Sequence, residues 1–175
     1  DNIINAIRTG DGLTATIETP PEYGKYHYDG HRKCNLTSSP EETKKLNGIC
    51  PVCKKQMTIG VDYRVEQLAK HPLGFRPKNA KPYYLLAPLH ELIAFNFKTP
   101  LGSKKSWVVY NELINVFGNE LNIMMNADEE ELKKHTDGNL AELIMLNRKG
   151  KLKIKPGYDG VYGEIMFQEK QKKLV

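Results

Sequence analysis

Three cysteines and one histidine fall into two short pairs, His31-Arg32-Lys33-Cys34 and Cys50-Pro51-Val52-Cys53, and nothing else in this chain restricts its fold as strongly. Two residues between donors let one tight turn present both side chains to the same ion, and two such turns complete a tetrahedral Zn²⁺ site. Every cysteine lies inside the pattern, so no sulfur is left over. The fourth donor is its open point. His27 stands four residues before His31 and competes for the position, but the His31 to Cys34 spacing repeats that of Cys50 to Cys53 and favours His31. The expectation is one structural zinc ion on His31, Cys34, Cys50 and Cys53, with His27 as the alternative ligand. Three buried thiols without metal would leave the repeated spacing unexplained, and a thioredoxin-type redox pair needs a βαβ pattern that the flanking residues lack.

Thiols kept available as ligands belong in a reducing compartment. The longest apolar runs, residues 83–89 and 143–146, fall far short of a bilayer span, and no signal peptide opens the chain. A soluble, cytoplasmic protein with no membrane partner is expected. Twenty-six Lys and Arg against 21 Asp and Glu give a net charge of +5, which makes polyanions plausible partners, nucleic acid first.

Residues 1–10 carry Ile3, Ile4 and Ile7 at helical spacing between Asp1 as N-cap and Gly10 as stop, and residues 13–19 alternate as a strand ended by Pro20-Pro21. Residues 23–33 then mix Tyr23, Tyr26 and Tyr28 with His27, His31, Lys25, Arg32 and Lys33. Interleaved rings and cations can stack bases and neutralise phosphates together, so Lys25, Tyr26, His27, Arg32 and Lys33 are candidate DNA contacts. The plainer alternative packs the tyrosines on the ribbon and solvates the cations. Ser39-Pro40-Glu41-Glu42 opens a helix in the spacer between the pairs. A ribbon strand is expected over 56–61, and a helix over 61–70 with Val61, Val65, Leu68 and Ala69 inward. Arg64, off that face, contacts a phosphate or is simply solvated.

Three prolines and a glycine mark residues 71–82 as a linker. Beyond it an apolar run over 83–87 leads to a helix over 88–95. Another helix, over 106–117, carries Trp107, Tyr110, Leu113, Ile114 and Phe117 as a core stripe. Gly102-Ser103-Lys104-Lys105 before it could hold a phosphate through amides and the two ammonium groups, though it is not a P-loop. A strand is expected over 121–125 and helices over 128–134 and 140–146. Lys151, Lys153 and Lys155 then share one strand face beside Arg148 and Lys149, either a solvated face or a phosphate track. Residues 156–163 (PGYDGVYG) read as a glycine-rich loop on which Tyr158 and Tyr162 stack a ligand, or as a tight turn before a strand over 164–167. Residues 168–175 form a polar, basic tail.

Several of these stretches together resemble the endonuclease Q family. They are Thr16-Ile17-Glu18, Gly24-Lys25-Tyr26-His27-x-Asp29-Gly30-His31-Arg32-Lys33-Cys34, Cys50-Pro51-x-Cys53, Gly60-Val61-x-x-Arg64-Val65-Glu66-x-Leu68, Ser103-Lys104-Lys105 and residues 156–163, in that order across nearly the whole chain. The resemblance implies an N-terminal PHP-type metallohydrolase domain, a zinc-binding domain and a C-terminal helical domain, which together nick DNA on the 5′ side of a deaminated base or an abasic site. The chain departs from that pattern in lacking any PHP-type cluster of histidines and carboxylates. Residues 1–20 then correspond to the end of the PHP domain, residues 21–75 to the zinc-binding domain and residues 83–175 to the helical, DNA-binding domain.

The fold class expected is α+β, a small zinc-ribbon-like module followed by a mainly helical domain with short strands. The function expected is that of a DNA-binding C-terminal fragment of a DNA-repair endonuclease, its partners damaged DNA and the absent PHP domain. Such a fragment does not cut DNA alone. The alternative is a zinc-ribbon module that binds a protein partner and has no nucleic-acid role.

Overall fold

Short amphipathic segments separated by glycine and proline build this chain from many small elements, and the computed structural model describes residues 1–166. The first half holds helix α1 (Asn2–Thr9), strands β1 (Thr16–Glu18), β2 (Asp29–His31) and β3 (Leu36–Ser38), and helices α2 (Pro40–Lys45) and α3 (Val61–Leu68). The second half holds strand β4 (Tyr83–Leu85), helices α4 (Leu89–Phe97), α5 (Lys104–Phe117), α6 (Glu120–Met125), α7 (Glu129–His135) and α8 (Gly138–Arg148), and strands β5 (Ile154–Lys155) and β6 (Glu164–Ile165). The fold is α+β, as expected, and no helix among the described residues is long and apolar enough to cross a membrane.

The chain divides into two compact units. One joins Asp1–Pro20 to Lys78–Leu152; the other joins Pro21–Pro77 to the residues from Lys153 onward. The expected division into residues 1–20, 21–75 and 83–175 differs at both ends. β1 pairs in parallel with β4, Thr16 opposite Tyr83 and Glu18 opposite Leu85, which ties the N-terminal segment to the helical unit. The backbone N–H of Gly157 donates to the Glu22 carbonyl and that of Tyr28 donates to the Gly157 carbonyl, which ties residues 153–166 to the cysteine-bearing unit.

In the helical unit the apolar positions of five helices meet. Leu89, Leu92, Ile93, Leu113, Ile123, Leu132, Leu140 and Ile144 are fully buried, each contributing roughly 1.5–3 kcal/mol of transfer free energy. Polar caps start the helices: Ser103, Asn119, Asp128 and Asp137 each accept backbone N–H groups from the first turn of α5, α6, α7 and α8. Asn147, buried on α8, clamps the segment after β4 by accepting from the Ala87 N–H at 3.0 Å and donating to the Ala87 carbonyl at 3.0 Å.

Residues 120–125 form a helix rather than a strand, because Asn119 caps them and Ile123 and Met124 fall on one buried side. The stripe of α5 is core only in part: Leu113 is fully buried and Tyr110, Ile114 and Phe117 are half-buried, but Trp107 is 45% exposed. Arg148 is no phosphate contact; its guanidinium donates to the carbonyls of Ile123, Met124 and Ala127, closing the C-terminal end of α6. The lysine strand shrinks to Ile154–Lys155, paired with β6, while Phe167 and the basic tail over 168–175 lie outside the described residues.

The cysteine-bearing unit has little apolar interior. Cys50, Met57, Tyr158 and Pro40 are its buried apolar side chains among the described residues. In their place stand backbone hydrogen bonds and buried polar groups. α2 carries a complete capping box between Ser39 and Glu42. The ribbon strand expected over 56–61 is reduced to single bridges, Gln56 with Ile49 and Thr58 with Gly30. α3 forms as expected, but Val61, Val65 and Leu68 are all exposed rather than inward.

Candidate metal centre and its basic rim

Two turns of similar construction carry the four donors. β2 and β3 pair as an antiparallel hairpin with His31 opposite Leu36, and a 3₁₀ turn over Arg32–Cys34 connects them. The second turn is closed by the N–H of Lys54 donating to the Cys50 carbonyl at 2.9 Å and that of Cys50 donating to the Lys55 carbonyl at 2.8 Å. In each, the residue after the second donor is left-handed, Asn35 at φ 49° and Lys54 at φ 60°. Asparagine tolerates that region well; lysine does not, and it is held there by the turn's own hydrogen bonds.

These turns bring His31, Cys34, Cys50 and Cys53 together, with one donor atom from each lying within 4.8 Å of all the others. The His31 Nδ1 atom is 3.1 Å from the Cys34 sulfur and 3.3 Å from that of Cys53, so Nδ1 is the ring nitrogen facing the thiols. His27, the alternative ligand, is outside the cluster, stacked on Tyr28 with ring centroids 5.2 Å apart. The thiols are already differentiated. Backbone N–H groups of Cys53 and Val52 aimed at the Cys50 sulfur lower its pKa to about 6, favouring the thiolate that a metal needs. Burial and hydrogen bonds with the other two thiols push Cys34 up to about 11. A set of three sulfurs and one imidazole could hold a metal ion, and soft donors in tetrahedral number suit zinc.

The first turn is braced from far away in sequence. Tyr158 and Val161 exchange both backbone hydrogen bonds around Asp159 and Gly160, which have φ 40° and 86°, a type I′ hairpin turn of Asp-Gly type. The Asp159 carboxylate accepts the Arg32 N–H at 2.6 Å and the Thr58 hydroxyl at 2.7 Å. Burial works to raise its pKa, but those two hydrogen bonds and the nearby Arg32 charge prevail and hold it below the ordinary carboxylate range. Tyr158 lies buried against Gly30, where a Cβ would collide with its ring, and its hydroxyl donates to Asn35 at 2.9 Å. Asp29, fully buried, accepts the Gly60 N–H at 2.6 Å through Oδ1 and fixes the start of α3.

The predicted DNA contacts therefore part company. Tyr158 is interior and has no face to offer. Lys25, Tyr26, Arg32, Lys33 and Tyr162 are exposed, and His27 is half-buried. Arg64 is exposed on α3, where it donates to Gln67. Lys104 and Lys105 belong to the helical unit, Lys105 lying 5.0 Å from the Phe97 ring centroid. Sequence reasoning missed Asp159, Asn35 and Asp29 as braces. The Asp-Gly pair at 159–160 was the available signal, since it marks an I′ turn that needs two left-handed residues.

The chain resembles endonuclease Q along nearly its whole length. The crystal structure of the lesion-specific endonuclease PfuEndoQ from Pyrococcus furiosus superimposes with a TM-score of 0.82 at 29% identity, covering 98% of this chain and 43% of that one. A structure of endonuclease Q in complex with a 27-mer duplex substrate carrying an abasic lesion at the active site gives 0.79 at 30% identity, covering 97% and 43%.

Among sequences, an uncharacterized protein of Methanocaldococcus jannaschii, MJ0043, is 38% identical over 156 residues, 89% of this chain and 20% of that protein. Protein YqxK of Bacillus subtilis, also uncharacterized, is 30% identical over 154 residues, 87% of this chain and 35% of its own. The family model described as the MJ0043 C-terminal domain matches residues 88–151, which run from the start of α4 to just past α8. The chain thus spans less than half the length of these relatives.

Proposed function

We propose that this chain is the DNA-binding, zinc-braced portion of a lesion-specific DNA-repair endonuclease, one that nicks 5′ of deaminated bases or abasic sites. The observation that carries the proposal is the structural match to endonuclease Q at 98% coverage, with the four-donor cluster in place. One zinc ion would be held by the His31 imidazole and three thiolates. Four protein ligands leave no position for a reacting water, so the ion's chemistry here is structural, setting the path of both turns and of the cations they carry, Arg32 and Lys33 inside the first donor pair and Lys54 and Lys55 after the second. Phosphodiester hydrolysis would be performed by a PHP-type domain, and this chain alone would bind without cutting.

Lys25, Arg32 and Lys33 supply positive charge beside the centre, with Tyr26, His27, Arg64, Tyr162, Lys104 and Lys105 as further contacts. The test is binding of the chain to a labelled duplex bearing an abasic or deaminated site, followed across a salt titration. Affinity should fall steeply with salt, and the Arg32→Ala, Lys33→Ala double variant should bind more weakly while retaining its metal. Salt-independent affinity, or none, would overturn the reading.

The exposed row of Val61, Val65 and Leu68 on α3 favours a second reading, a module that docks a protein partner. Capture of a partner that survives nuclease treatment, with no affinity for DNA, would select it.

A further inference from the structure

Beside the braced turn lies a cluster in which rings and cations meet. Gly160 donates its N–H to the Lys25 carbonyl at 2.8 Å, fixing residues 25 and 26 against the Asp159-Gly160 turn. The Lys25 ammonium then stands 5.5 Å from the ring centroid of Tyr162 and 5.9 Å from that of Tyr26. A Cβ on Gly160 would be 3.5 Å from Arg32 Nη1 and 3.7 Å from the Tyr26 hydroxyl, so both groups border the same turn. Tyr162 is 66% exposed and Tyr26 47%. Among the described residues no ion pair engages Lys25 or Arg32.

From this arrangement we infer that Tyr26, Lys25, Tyr162 and Arg32 form a binding site for an unpaired nucleotide, its base on a tyrosine ring and its phosphate on the two cations. The inference rests on the DNA-binding reading above and specifies it. A lysine beside both rings disfavours a cationic ligand and attracts an anionic one. Duplex phosphates alone would be met by the cations, whereas base faces reach a ring only where the stack is open. The Asp-Gly turn keeps the cluster from collapsing, because its backbone and the Asp159 carboxylate are both spent on fixing residues 25, 32 and 58.

The experiment compares two labelled single strands of equal length, a thymidine oligomer and an oligomer whose residues are all abasic, by fluorescence anisotropy with the full zinc-loaded chain. Tyr162→Ala should weaken binding of the thymidine oligomer by about tenfold, the size of one base on one ring, and leave the abasic oligomer within about twofold. Tyr26→Phe, which keeps the ring, should bind both as the parent does, and Lys25→Ala should weaken both. Equal effects of Tyr162→Ala on the two oligomers, or none, overturn the inference while duplex binding by the parent leaves the broader reading intact. Absence of binding by the parent to any of these DNAs, duplex included, overturns both.

Discussion

The two units solve the same problem with different materials. In the helical unit, leucine and isoleucine side chains from α4, α5, α6, α7 and α8 fill the interior. The cysteine-bearing unit buries few apolar side chains and depends on converging donors, the Asp159-Gly160 turn and polar contacts such as the buried one of Asp29 with Gly60 and the exposed one of Asp159 with Arg32. A small unit without a sufficient core ordinarily needs a metal or disulfides. The comparison teaches that the ion here would substitute for hydrophobic burial, so the two units should respond differently to almost every perturbation.

Metal removal should separate them most. In zinc-finger peptides the metal contributes about 10–16 kcal/mol to folding, so chelation should abolish hydrogen-exchange protection across residues 29–58. The helical unit should keep its protection, and fluorescence of Trp107, the chain's one tryptophan, should stay unchanged. The reverse perturbation is Leu140→Ala, which opens a cavity in the helical core. A loss of about 2–5 kcal/mol of that unit's stability is expected in denaturant titrations read at Trp107, with metal content unaffected. Asn147→Ala should cost about 1–3 kcal/mol by the same readout, because it strands the Ala87 N–H and carbonyl in the interior. Ser39→Ala should be smallest. Losing the cap of α2 should cost about 1 kcal/mol, visible as faster exchange over residues 40–45.

The same contrast explains what could be read beforehand. Donor spacing is local, so His31, Cys34, Cys50 and Cys53 were legible, and so were the start and stop of α1 and the capped start of α2; Ser103 as the cap of α5 was not, and that helix begins two residues earlier than expected. Periodicity reveals that a helix has an apolar side but not whether anything lies against it. The row on α3 and Trp107 on α5 were therefore taken as core, whereas Val61, Val65, Leu68 and Trp107 are exposed. Pairings between distant segments left no local trace. Nothing near Thr16 announces Tyr83, and nothing near Arg32 announces Asp159. Arg148 looked like one more surface cation because its three carbonyl partners come from another helix and the segment after it.

The central claim is that one ion closes both turns, and X-ray absorption at the zinc edge on the purified, zinc-loaded chain tests it most directly. The account predicts one zinc per chain with three sulfur neighbours at about 2.3 Å and one imidazole nitrogen at about 2.0–2.1 Å, the nitrogen lost in His31→Ala and kept in His27→Ala. A sulfur-poor shell, a nitrogen that survives His31→Ala, or no bound metal would contradict it.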